Sequence, residues 1–200
     1  MVTEIAKLIS FLTNPLFVLF PMPFLLIYKV SSDSIYALKW TIFSFVFIII
    51  SALFLLYGVS RGVFSDLDVS KREQRPILFL FIGFVTLFYL FSLFLLKGPP
   101  VLYITIIGIM VGLLFVSLIN TRLKASLHVA TITCVIVTAG ILYSLSFLFF
   151  LLIPITAWSR IRIKRHTLTE AIVGGIAGLL LTLGMYLFLH ILFHINITAL

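Results

Sequence analysis

The sequence predicts an all-α fold, a polytopic transmembrane helical bundle of six to seven spans. Of its 200 residues, 62% are hydrophobic and only 10% are charged, more apolar surface than a soluble domain could hide. The apolar residues run in long unbroken Phe/Leu/Ile stretches, without the alternation of a barrel strand. No polar connection is long enough to hold a soluble module, so residues 1–200 read as one integral membrane domain.

A hydrocarbon core of ~30 Å takes ~20 helical residues. By that rule seven segments stand out, at 8–28, 35–58, 77–96, 101–120, 126–143, 145–158 and 169–193. The first carries Pro15, Pro21 and Pro23, yet it is long enough to stay as a span, and it lacks the small-residue cleavage site of a signal peptide. The sixth is short and interrupted by Pro154, which points to a tilted or partly helical span. Cys134 falls inside the fifth segment and implies no disulfide framework.

The net charge of +8 follows the connections. With seven spans, the N-terminus and loops 59–76, 121–125 and 159–168 share one side. That side carries Lys7, Arg61, Lys71, Arg72, Arg75, Arg122, Lys124, Arg160, Arg162, Lys164 and Arg165, whereas the other carries Lys29, Lys39 and Lys97. The positive-inside rule places the basic side, with the N-terminus, in the cytoplasm. Setting aside Lys71, Arg75 and Arg160, the cations best suited to chemistry, leaves the bias intact. No basic nucleic-acid module is present, so the expected partners are the bilayer and its anionic headgroups rather than nucleic acid.

Three loops on this side hold the reactive groups. In residues 158–178, His166 and Glu170 are four apart and stack on one helical face. A carboxylate there can accept the imidazole Nδ1 proton, leaving Nε2 as a nucleophile or ligand. Gly174 and Gly178 continue the same spacing and suit close helix packing beneath the site. In residues 121–130, Ser126 and His128 stand at the mouth of the fifth span, where an interfacial histidine costs free energy unless it is paired or used. In residues 59–76, Lys71 lies four before Arg75; on a helical turn both cations would face the same way, toward a phosphate. Together these are the groups for metal-free phosphoryl transfer. One histidine attacks phosphorus, the other protonates the leaving oxygen, and the cations stabilise the equatorial oxygens.

In these motifs the chain resembles the type 2 phosphatidic acid phosphatase family, integral membrane phosphatases of lipid phosphates and isoprenoid diphosphates. Ser159-Arg160, five residues, His166, three residues and Glu170 is similar to the family's third motif, with Glu where the family has Asp. Ala125-Ser126-Leu127-His128 keeps the Ser and His of its Pro-Ser-Gly-His motif. Arg75-Pro76 matches the end of its first motif, while Asp68 occupies the lysine position, for which Lys71 is the nearest substitute. The resemblance covers roughly residues 60–180 and leaves the first two spans unexplained. It implies His166 as nucleophile, Glu170 as its orienting partner and His128 as general acid. Arg75, Arg160, Ser126 and Lys71 would hold the phosphate of a lipid phosphate or isoprenyl (di)phosphate. No cofactor and no metal are implied.

Two other readings meet the same residues. Asp66 and Asp68 resemble half of the Asp-rich, Mg²⁺-diphosphate motifs of intramembrane prenyltransferases, but no second such motif is present. A non-catalytic lipid-binding protein with a phosphatase-like scaffold would not need both histidines. His190 and His194 have a metal-ligand spacing with no third ligand nearby, and read as interfacial residues.

Overall fold

The structure is a computed structural model and describes residues 2–144 and 147–193. It is all-helical. Among the described residues there are nine α-helices: α1 (Val2–Leu12), α2 (Pro15–Leu19), α3 (Met22–Ser31), α4 (Ser34–Ser60), α5 (Arg75–Leu96), α6 (Pro100–Asn120), α7 (Leu127–Tyr143), α8 (Leu152–Arg162) and α9 (Leu168–Phe193). Short 3-10 turns at Arg72–Gln74 and Phe147–Leu151 precede α5 and α8.

Local chemistry sets the helix starts. Asp33 caps α4 by accepting from the amides of Ile35 and Tyr36 at 2.9 and 3.0 Å. Pro100 opens α6, where its missing N–H costs nothing. Asn14 accepts from the Leu16 amide at 3.0 Å and restarts the helix at Pro15, which breaks the first expected span in two. The halves Val2–Leu12 and Pro15–Ser31 meet at a bend of 43°.

Four helices, α4, α5, α6 and α9, are long and apolar enough to cross a membrane, and five if the bent N-terminal pair counts as one. Between 17% and 33% of their most apolar stretches is buried inside the protein. The remainder, including Leu80, Phe84, Phe94 and Leu118, faces outward, an arrangement that a lipid solvent makes favourable. The other two expected segments are shorter. α7 has 17 residues, about 26 Å at 1.5 Å per residue. Segment 145–158 becomes the Phe147–Leu151 turn and the 11-residue α8, with Pro154 in the first turn of that helix. Its residues 145 and 146, like His194, lie outside the described residues.

The chain forms two compact units: residues 23–122, and residues 1–22 together with 123–200. The continuous unit is built from α4, α5 and α6 around Trp40, Phe47, Val85, Tyr89 and Leu93. Phe47 stacks on Tyr89 with ring centroids 4.3 Å apart, and Ser44 hydrogen-bonds the Tyr89 hydroxyl.

The discontinuous unit is organised by α7. One face of that helix packs on α9, and Val129, Ile132, Ile136 and Val137 are buried there among its neighbours. The approach to α9 is backbone-close. A Cβ added at Gly174 would lie 2.5 Å from the Ser126 carbonyl oxygen, and one at Gly178 would collide with the Ala130 carbonyl. The glycine spacing expected to serve close packing does so. Gly174→Ala and Gly178→Ala should each cost about 1–3 kcal/mol, because the obstructing atoms are backbone and cannot turn aside. Gly184→Ala, with open space around its Cβ, should be neutral or stabilising by up to about 1 kcal/mol. Thermal melting in detergent measures both, and equal effects at Gly174 and Gly184 would refute the close approach.

Candidate active site

The site in the discontinuous unit starts at two helix N-termini. Ser126 is the N-cap of α7, its hydroxyl facing the Val129 amide at 3.5 Å, and its own amide donates to the Glu170 carbonyl at 3.0 Å. The first turn of α7, carrying His128, is thereby fixed to the first turn of α9, carrying Glu170. Both ends direct amide N–H groups and positive dipole ends toward the same region, a setting favourable to anions.

α9 begins with a capping box. The Thr167 hydroxyl accepts from the Glu170 amide at 3.2 Å, and Glu170 Oε2 accepts from the Thr167 amide at 3.2 Å. The same Oε2 lies 2.8 Å from His166 Nδ1. The imidazole of His166 is buried, with 3% of its side chain exposed. With Nδ1–H directed at the carboxylate, the neutral form of the imidazole carries its lone pair on Nε2. Glu170 thus does two tasks from one oxygen, closing the cap and fixing the tautomer. Lys124 adds a third contact, 3.9 Å from Oε2, and its ammonium donates to the Arg165 carbonyl at 2.9 Å.

Arg160, in the last turn of α8, joins the two histidines. Its backbone carbonyl accepts from the amides of Arg165 and His166 at 3.0 and 3.3 Å, folding the loop back on the helix end. Its buried guanidinium reaches the other way, with Nη1 3.5 Å from His128 Nε2 and 2.6 Å from the Ser10 hydroxyl. An arginine has donors alone, so His128 Nε2 is the acceptor in this contact. Nearby, an apolar groove of about 570 Å³ runs between α7, α8 and α9. Its walls are sequence neighbours of the site residues, including Val129, Ile161, Leu168 and Ala171, with Arg162 also lining it.

The sequence-derived residues His128, His166, Glu170, Arg160 and Ser126 therefore belong to one unit. Ser126 does its visible work as a cap and is fully buried. Sequence reasoning missed Ser10 and Thr167, and it used Lys124 for topology alone. The Thr167-x-x-Glu170 pattern was the available signal for the capping box; a contact between residues 10 and 160 has none.

Arg75 and Lys71 belong to the continuous unit. Arg75, the first residue of α5, is buried; its Nε donates to the Val69 carbonyl at 3.3 Å and its Nη1 to Asn120 Oδ1 at 3.4 Å. Asn120 Nδ2 donates in turn to the Arg72 carbonyl at 3.4 Å. The helical turn expected to align Lys71 with Arg75 does not form. Lys71 is extended and exposed, before the 3-10 turn. The reason lies upstream: Asp66 Oδ1 accepts from the Asp68 amide and the Ser70 hydroxyl, both at 3.0 Å, and winds the chain into a turn. Val69 then takes the left-handed conformation at φ 46°, a strained choice for a β-branched residue that costs on the order of 1–3 kcal/mol. Its carbonyl is the one that receives Arg75.

Among the described residues, no group of three or more His, Cys, Asp or Glu side chains comes close enough to hold one metal ion. His190 stacks on Tyr186, ring centroids 6.1 Å apart. Comparison with protein-family models, with curated proteins and with solved structures finds no match.

The double duty of Glu170 makes its exchange for the shorter acid informative. Glu170→Asp should lower stability by about 1 kcal/mol through loss of the capping box and release the His166 ring. Glu170→Gln, which keeps the reach, should melt closer to wild type. Melting curves in detergent decide it, and an unaltered Glu170→Asp protein would refute the capping role.

Proposed function

We propose that the chain is a metal-independent phosphatase that hydrolyses a membrane lipid phosphate or isoprenyl (di)phosphate through a phosphohistidine, on a bundle like that of the type 2 phosphatidic acid phosphatases. The observation that carries this reading is the buried His166 with Nδ1 held 2.8 Å from Glu170, in the unit that also buries Arg160 and His128. The apolar groove beside these residues has the chemistry to take a hydrocarbon chain. Arg75 keeps the Arg-Pro of the motif it resembles, whereas Lys71 has neither the motif's lysine position nor the helical turn that would align it with Arg75.

The Nε2 lone pair of His166 attacks phosphorus, a P–N bond forms, and the P–O bond to the leaving group breaks. His128 gives its proton to the departing oxygen, then takes one from the water that cleaves the P–N bond and releases inorganic phosphate. For His128 to act as an acid, Nε2 must carry a proton, and the Arg160 Nη1 now facing it must turn to another acceptor. A phosphoryl oxygen is that acceptor, so substrate binding itself would free the acid.

His166→Ala should abolish phosphate release from lipid phosphates in detergent and remove any acid-labile phosphoenzyme. His128→Ala should slow release by ~10²–10⁴-fold. Excess EDTA should leave the wild-type rate unchanged. Full turnover by His166→Ala sinks the mechanism, and a strict Mg²⁺ requirement favours a prenyltransferase-like enzyme instead.

The reading extends to topology: seven spans, with α7 and α8 crossing as a pair, and the site and N-terminus in the cytoplasm. Counting α7 and α8 together in or out changes the number of spans by two and moves no other loop to the opposite side, so the charge bias stands either way. A cysteine introduced in loop 59–76 of a Cys134→Ser chain should resist an impermeant reagent added to intact cells. Its labelling from outside would reverse the orientation.

A further inference from the structure

We propose that Ser10 of α1 is a positioning residue for Arg160, fixing the guanidinium through a neutral hydroxyl; the inference rests on the reading of Arg160 as a phosphate-holding group. α1 and α8 are tied at two successive points. The Ser159 hydroxyl donates to the Ala6 carbonyl at 2.7 Å, and one turn later Arg160 Nη1 donates to the Ser10 hydroxyl at 2.6 Å. Ala6 and Ser10 are the buried residues of α1, Ser10 with 7% exposure, while Val2, Ile5, Leu8, Phe11 and Leu12 on the same helix are exposed. The buried face of α1 thus consists of two small residues, and one of them supplies the hydroxyl that meets Arg160.

The choice of a neutral partner has a consequence. A carboxylate at this distance would hold the guanidinium more tightly, yet it would also occupy the donors and offset the charge that an incoming phosphate needs. A hydroxyl accepts one hydrogen bond from Nη1 and brings no charge of its own. The same Nη1 faces His128 Nε2 at 3.5 Å, so the contact at Ser10 sets how Arg160 is shared between the histidine and the phosphoryl oxygens.

The test uses full-length protein in detergent, with inorganic phosphate as the anion in melting experiments and a lipid phosphate in turnover. Ser10→Asp should melt at or above the wild-type temperature without phosphate, and lose the phosphate-induced rise in melting temperature that the wild type shows. Ser10→Ala should lower kcat/KM by roughly ten- to a hundredfold, chiefly through KM, when assayed well below its own melting temperature. Ser10→Thr should restore most of that loss. A Ser10→Asp protein with the full phosphate shift, or a Ser10→Ala protein with wild-type KM, overturns the proposal while the phosphatase reading stands. Wild-type protein that is stabilised by phosphate, lost in Ser10→Asp, but cleaves no lipid phosphate keeps the role of Ser10 and removes the catalytic reading. Wild-type protein that saturating phosphate does not stabilise overturns both.

Discussion

The backbone-to-backbone approach of α7 and α9 at Gly174 and Gly178 is the constraint on which the candidate site depends. With any side chain at those positions the helices would separate, and the Ser126 amide would no longer reach the Glu170 carbonyl. That single hydrogen bond brings two helix N-termini to one level. His128 then leaves the first turn of one helix while Glu170 leaves the first turn of the other, under the electrostatic influence of both amide ends. The histidines are placed by the packing of bare backbone, and side chains refine what the glycines permit.

The refinement is economical. Arg160 uses its carbonyl to fold the His166 loop and its guanidinium to face His128, so one residue at the end of α8 serves both histidines. Glu170 does likewise, and its length is what permits it. A glutamate three residues into a helix can turn back to the cap amide, and here it reaches His166 from the same position. The methylene that separates this chain from the motif it resembles is therefore explained by the helix start.

Much of this architecture was legible in the sequence. α4, α5, α6, α7 and α9 lie within two residues of the segments expected from uninterrupted apolar runs, since nothing inside those runs competes with the helix. The failures come where local polar chemistry overrides the run. Asn14-Pro15 restarts the first segment, and the Asp66 turn with the left-handed Val69 removes the helix on which the pairing of Lys71 with Arg75 relied. In the site, the spacing of four brought His166 and Glu170 together, but not on one helical face: His166 stands in the loop just before the Thr167 cap, and Glu170 turns back to it. Ser10 lies 150 residues from its partner, and only the folded chain brings them together.

That separation also bears on how the protein is made. The unit that holds the histidines is interrupted in sequence by the whole of residues 23–122. Its first helix emerges from the ribosome long before α8 exists, and Ala6 and Ser10 must wait for Ser159 and Arg160. The closure of so long a loop adds little to the equilibrium cost, because that cost grows only logarithmically with length, but it dictates an order of events. The nascent chain can insert α4, α5 and α6 while the site has neither of its histidines. A half-synthesised chain holds no part of the histidine cluster, and the candidate site comes together only as the last helices join the first.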